Sequence, residues 1–134
     1  MTSRVLTEAT VQEIQLELIR RTRFNAFDGE RVVAALEKHR GLWQAVLMDR
    51  FCFSNAGGLP SAGLIKLRDL PHNYWNVDTL YILCPDGARA RQLGEIAESE
   101  DWGGEVQVHD DENEVGSALG SNRRPYAVVS IWWD

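Results

Sequence analysis

Thr79-Leu80-Tyr81-Ile82-Leu83-Cys84 is apolar on both faces, the pattern of a strand covered from both sides. What surrounds this stretch decides the fold class. Downstream, Asp86 stands where a helix N-cap belongs, Ala90, Leu93, Ile96 and Ala97 recur at helical spacing, and Gly103-Gly104 closes the segment. Glu105-Val106-Gln107-Val108-His109 then alternates as a strand with one polar face. Asp111 and Glu114 stand at capping-box-like spacing ahead of Val115, Ala118 and Leu119, and Gly120 ends that short helix. Tyr126 to Trp133 forms the last strand. The patterning places 79–84 and 126–133 centrally with helices on either side, and 105–109 nearer an edge. Right-handed crossovers would make these three strands parallel.

Working back toward the N-terminus, residues 70–78 form an aromatic-rich turn that includes Tyr74-Trp75. Residues 64–69, with Ile65 and Leu67 on one face and Lys66 and Arg68 on the other, read as a strand able to pair antiparallel through that turn. Residues 54–63 hold three Gly, one Pro, two Ser and one Asn, a loop by composition. The first fifty residues read as helical. Thr10 and Glu13 stand at capping-box spacing ahead of Val11, Ile14 and Leu18. Asp28 caps a second helix through Val32, Val33, Ala35 and Leu36, and Leu42 to about Arg50 suggests a short third. The expectation is one domain over 1–134, with a helical segment at 1–53, a Gly-rich loop at 54–63 and an αβ segment at 64–134. Its class is α+β or α/β: N-terminal helices packed on a mixed, mainly parallel sheet of about four strands, in the order β-β-α-β-α-β.

A length of 134 residues suits a single domain that folds without metal or disulfide staples, and 44% hydrophobic with 25% charged residues is an ordinary globular composition. No apolar run approaches a membrane span, and the start lacks the apolar core of a signal peptide, so a soluble cytoplasmic protein is expected. Cys52 and Cys84 form no ligand spacing, and no metal or cofactor is expected. The net charge of −6 is uneven. Residues 1–50 carry 8 Lys/Arg against 7 Asp/Glu, residues 51–134 carry 6 against 13, and no Lys or Arg stands between Arg91 and Arg123. An acidic surface of this kind repels nucleic acid and anionic membrane.

The chemical motifs are incomplete. Gly58 and Gly63 have P-loop spacing, but Leu64 and Ile65 occupy the Lys and Ser/Thr positions. Cys84 ends a strand just before a helix N-terminus, a setting that can activate a thiol. The phosphatase-loop spacing nevertheless puts Ala90 where the Arg should be, with Arg89 and Arg91 on either side. His109-Asp110-Asp111-Glu112 could supply metal ligands or an acid/base pair. The plainer alternative is that Asp110 and Asp111 cap a helix, and no EF-hand glycine follows. His39, His72 and His109 leave a Ser/His/Asp hydrolase open by residue type, without a Gly-x-Ser-x-Gly elbow. Arg20-Arg21-Thr22-Arg23 beside helices invites a DNA reader, but nearby Glu13, Glu17 and Glu30 and the preference of helix C-termini for cations give a structural reason for them.

Two functional readings result. The first is a small acidic protein-interaction or regulatory domain that engages a protein partner or a second copy of itself. It would use Tyr74, Trp75, Asp110, Asp111, Glu112 and Glu114. The second is an α/β enzyme or small-ligand binder with its site at the strand carboxyl ends. It would draw on Cys84, Asp86, His109 and Asp110.

Overall fold

The computed structural model describes residues 5–24, 26–51, 61–120 and 125–134. Its first helix, α1 (Val11–Arg21), begins at the expected capping box. The Glu13 amide donates to Thr10 Oγ1 at 3.1 Å, and the Thr10 amide donates to Glu13 Oε1 at 2.9 Å. A two-residue hairpin, β1 (Arg23–Phe24) and β2 (Phe27–Asp28), turns the chain into α2 (Gly29–Lys38), which Asp28 caps by accepting from the Arg31 amide. Gly29 makes this junction possible. A Cβ there would stand 2.0 Å from the Ile19 carbonyl oxygen and 2.8 Å from those of Arg20 and Thr22, so α2 starts directly against the last turn of α1.

The chain then continues through β3 (Ala45–Asp49), α3 (Ser61–Asp69), β4 (Thr79–Cys84), α4 (Gly87–Ser99), β5 (Glu105–His109), α5 (Glu112–Ala118) and β6 (Ala127–Trp132). The four longer strands form one sheet in the order β3-β4-β6-β5, with every neighbouring pair antiparallel. The protein is therefore an α+β fold, and the expected mainly parallel sheet is overturned. The reason is the placement of β6. The α4 crossover does make β4 and β5 run in the same direction, but it leaves a gap one strand wide. β6 enters that gap and pairs antiparallel with both.

Two elements also exchange identity with the expectation. Residues 45–49, read as part of a helix within 1–53, form strand β3, in register with β4 from Ala45↔Leu83 to Asp49↔Thr79. The short apolar run Ala45-Val46-Leu47-Met48 fits either period, and pairing with β4 decides it. Residues 64–69, read as a strand, belong to helix α3. Four of its six residues, Leu64, Lys66, Leu67 and Arg68, are good helix formers. The order after the two N-terminal helices is thus β-α-β-α-β-α-β. Within the loop read at 54–63, residues 61–63 are the first turn of α3, and 54–60 lie outside the described residues.

The core lies on one face of the sheet. Val46, Met48, Leu80, Ile82, Cys84, Val129 and Ile131 point into it and meet Leu16, Ile19, Leu36 and Leu93 from the helices, all buried. α1 packs on α2 and β3, and α4 packs on β5 and β6. Trp133 closes one end, donating from Nε1 to the Trp102 carbonyl at 3.0 Å with its ring edge-on to Phe27 at 4.6 Å. Among the described residues the opposite face has no such cover, where helices on both sides were expected. Trp132, the neighbour of buried Trp133, is 38% exposed there. No helix among the described residues is long and apolar enough to cross a membrane.

Candidate functional site

Strand alternation puts three rows of side chains on the less covered face. Reading across β3, β4, β6 and β5, they are Ala45-Leu83-Val128-His109, Leu47-Tyr81-Ser130-Gln107 and Asp49-Thr79-Trp132-Glu105. Over the β4, β6 and β5 side of this grid lies a concavity of about 730 Å³. Thr79, Tyr81, Ser130, Trp132, Glu105, Gln107 and His109 form its floor. Arg50, Phe51 and Asp78 form one wall, and Ile65 of α3 reaches it from the side.

The polar groups of the wall are committed to each other. Asp78 accepts from the Phe51 amide and from Thr79 Oγ1, both at 2.9 Å, and approaches Arg50 at 3.8 Å. Arg50 also donates to Asn76 Oδ1. The floor is different. Glu105 and Gln107 have no hydrogen-bond or ionic partner among the described residues, and both are exposed. Between them and the far end of the grid, His109 Nε2 is hydrogen-bonded to Ser130 Oγ at 2.8 Å. The other ring nitrogen, Nδ1, lies 3.5 Å from Glu114 Oε1 of α5. With the ring proton on Nδ1, the side of that carboxylate, Nε2 is the acceptor for the Ser130 hydroxyl.

The residues singled out from sequence are distributed differently from either reading. Cys84 and His109 end strands that run in the same direction, but their side chains leave the sheet on opposite faces. Cys84 is wholly buried against the helices, and burial, reinforced by Asp86, pushes its thiol up to about 12. It is not poised as a nucleophile. Asp86 caps α4, accepting from the Arg89 amide at 2.8 Å, and that bond together with the Arg89 side chain holds its carboxyl below the usual range. Asp110 pairs with Arg91 at 2.8 Å. Of the second reading's four residues, only His109 faces the concavity.

The acidic and aromatic residues of the first reading are not contiguous. Tyr74 and Trp75 precede the N-terminal end of β4, where Tyr74 borders a smaller recess of about 340 Å³. Asp110, Asp111, Glu112 and Glu114 follow the C-terminal end of β5, near the far end of β4. Four strand positions, roughly 13 Å at about 3.3 Å each, separate the two groups along the sheet. Asp111 accepts from the amides of Asn113 and Glu114 as the cap of α5, with Glu112 in its first turn. Trp75 is half-buried against the core, with the Lys66 ammonium 5.4 Å from its ring centroid. Among the described residues, no three His, Cys, Asp or Glu side chains gather as a metal site would require.

Sequence reasoning missed Ser130, Gln107, Glu105 and Tyr81. Ser130 carried a signal: it is the only polar residue in Ala127-Val128-Val129-Ser130-Ile131-Trp132, a strand otherwise fit for a core. Comparison with protein-family models, with curated proteins and with solved structures finds no match to this chain.

Proposed function

We propose that the protein binds a small organic molecule in the concavity on the open face of its sheet. The observation that carries this reading is the composition of the floor. Aromatic Tyr81 and Trp132 surround polar groups, and two of those, Glu105 and Gln107, have no partner among the described residues. A volume of about 730 Å³ lies within the range of roughly 300–1,000 Å³ typical of ligand sites, where apolar walls hold a few convergent polar groups. Arg50 is engaged by Asp78 and Asn76, so Glu105 is the uncompensated charge of the floor. The matching ligand is neutral or cationic, with an aromatic or otherwise apolar body.

A thermal-shift screen of neutral, cationic and anionic aromatic compounds tests this. A ligand present at about a hundred times its Kd stabilises by roughly 2.7 kcal/mol, a shift of several degrees for a domain of this size. Hits should be neutral or cationic, and Trp132→Ala should remove their effect. A screen with no hits, or hits indifferent to Trp132, would overturn the reading.

A protein partner is the second reading. It is favoured by Leu47, 44% exposed, which extends the apolar surface of the same face beyond the concavity. Native mass spectrometry of protein purified gently from its own host separates the two. A retained mass of a few hundred daltons supports a small ligand, and a co-purifying chain or a multiple of 15.2 kDa supports a partner.

A further inference from the structure

We infer that Ser130, His109 and Glu114 form a nucleophile relay that hydrolyses carboxylic esters bound in the concavity. This rests on the proposed ligand site and adds a reaction to it. The geometry has the order that acyl transfer needs: a hydroxyl against one imidazole nitrogen at 2.8 Å, and a carboxylate near the other at 3.5 Å. The connection runs diagonally across the sheet. Ser130 stands opposite Gln107, and His109 stands opposite Val128, so the imidazole leans along the strand to reach the hydroxyl. Tyr81 and Gln107 flank Ser130 on the two adjoining strands. The Gln107 side chain, without a partner among the described residues, stands beside the nucleophile, placed to hydrogen-bond the oxygen of a tetrahedral intermediate. The order along the chain, His, Glu, Ser, has no sequence signature, because the three residues meet only through the β5/β6 register and the turn into α5.

The reaction balances within these groups and water. Ser130 Oγ attacks the ester carbonyl carbon as its proton passes to His109 Nε2. The bond from that carbon to the leaving oxygen breaks, and the leaving alcohol takes the proton from His109, which leaves the acyl group on Ser130. A water molecule then gives a proton to His109 Nε2 as it attacks the acyl carbon. The carboxylic acid leaves, and the proton returns to Ser130 Oγ. Glu114 touches only the ring nitrogen remote from the substrate and is a positioning residue.

The full chain is incubated with 4-nitrophenyl acetate and butyrate, and separately with a fluorophosphonate probe followed by peptide mass mapping. The expected result is turnover above that of an equal concentration of free imidazole, with phosphonylation at Ser130. Ser130→Ala should abolish both. His109→Gln should slow turnover by about 10²–10⁴-fold, and Gln107→Leu by about 10²–10³-fold. Glu114→Gln should lower the rate while moving its pH midpoint. Urea unfolding of each variant shows that it is folded, and Ser130→Gly serves if Ser130→Ala is not. Turnover unchanged in a folded Ser130 variant, or a probe adduct absent from Ser130, would overturn the relay. Ligand-induced thermal shifts that persist without turnover would overturn the relay alone and leave the binding site standing.

Discussion

The side-chain amide of Gln12 is hydrogen-bonded to both backbone groups of Val46: Gln12 Nε2 donates to the Val46 carbonyl at 2.7 Å, and the Val46 amide donates to Gln12 Oε1 at 2.9 Å. β3 is an edge of the sheet, and this residue of α1 occupies the place where another strand would bind. Replacing it by Ala leaves two partly buried backbone groups unsatisfied, which costs about 1–3 kcal/mol. Urea unfolding of Gln12→Ala should show a lower midpoint at an unchanged slope. Gel filtration at rising concentration should show association that the parent lacks. A variant with parental stability would mean that solvent satisfies Val46 equally well.

Part of the acid sensitivity should lie at the end of α1. Glu17 accepts from Arg20 Nε at 2.8 Å and from Arg21 Nε at 2.7 Å. The Arg20 hydrogen bond, opposed by partial burial and aided by Arg21, lowers its carboxyl to about 2. A folded-state value below the unfolded one contributes stability that is present above about pH 4.5 and is lost as pH falls toward 2. Glu17 is 21% exposed and its arginine partners more so, and solvent screening limits the contribution to about 1 kcal/mol. Glu17→Gln should therefore be less stable than the parent at pH 7, and the difference should close below pH 3. A difference independent of pH would assign the loss to packing.

Burial of Cys84 makes a chemical prediction that separates it from the open-face site. With its thiol raised to about 12, the native protein should not be alkylated at Cys84 by iodoacetamide near pH 8, whereas the unfolded chain should be. Cys84→Ala removes a core contact and should cost about 1 kcal/mol. Ligand-induced thermal shifts should be unchanged. Alkylation of Cys84 in the folded state, mapped by peptide mass, would show that the helix-covered face opens.

The legible parts of this fold are those written in local chemistry. Thr10 and Glu13 announce α1, Asp28 announces α2 and Asp86 announces α4, and each cap forms. The apolar runs 79–84 and 126–133 correctly read as the central strands. What local chemistry does not encode is adjacency. A crossover fixes the relative direction of β4 and β5 but not whether a third strand slips between them, and the antiparallel sheet follows from β6 doing so. The one-sided cover was partly legible, since adjacent Trp132 and Trp133 must point to opposite faces. The site was less legible, because Ser130 and His109 meet only through a cross-strand register, which no spacing along the chain reveals. Of Cys84, Asp86, His109 and Asp110, His109 alone lines the concavity, because alternation decides the face and a shift of one residue decides alternation.

The acidic stretch after β5 can be tested residue by residue, because its members differ in structural work. Asp111 accepts two backbone hydrogen bonds at the start of α5, at 2.9 and 3.2 Å, whereas Asp110 makes a solvent-exposed pair with Arg91. If the stretch serves the fold, Asp111→Ala should cost about 1 kcal/mol as a lost cap. Asp110→Asn should change stability by less than about 1 kcal/mol. Loss of the cap frays the turn that carries Glu114, so Asp111→Ala should also release His109 from its carboxylate. The His109 imidazole resonances, followed by NMR at one fixed pH, should then shift as the carboxylate leaves the ring. Asp110→Asn, whose carboxyl pairs with Arg91, should shift them less. Equal effects of the two substitutions would show that the acidic residues act as a diffuse field, the behaviour expected of a surface that steers a basic partner, and would shift the balance toward the protein-interaction reading.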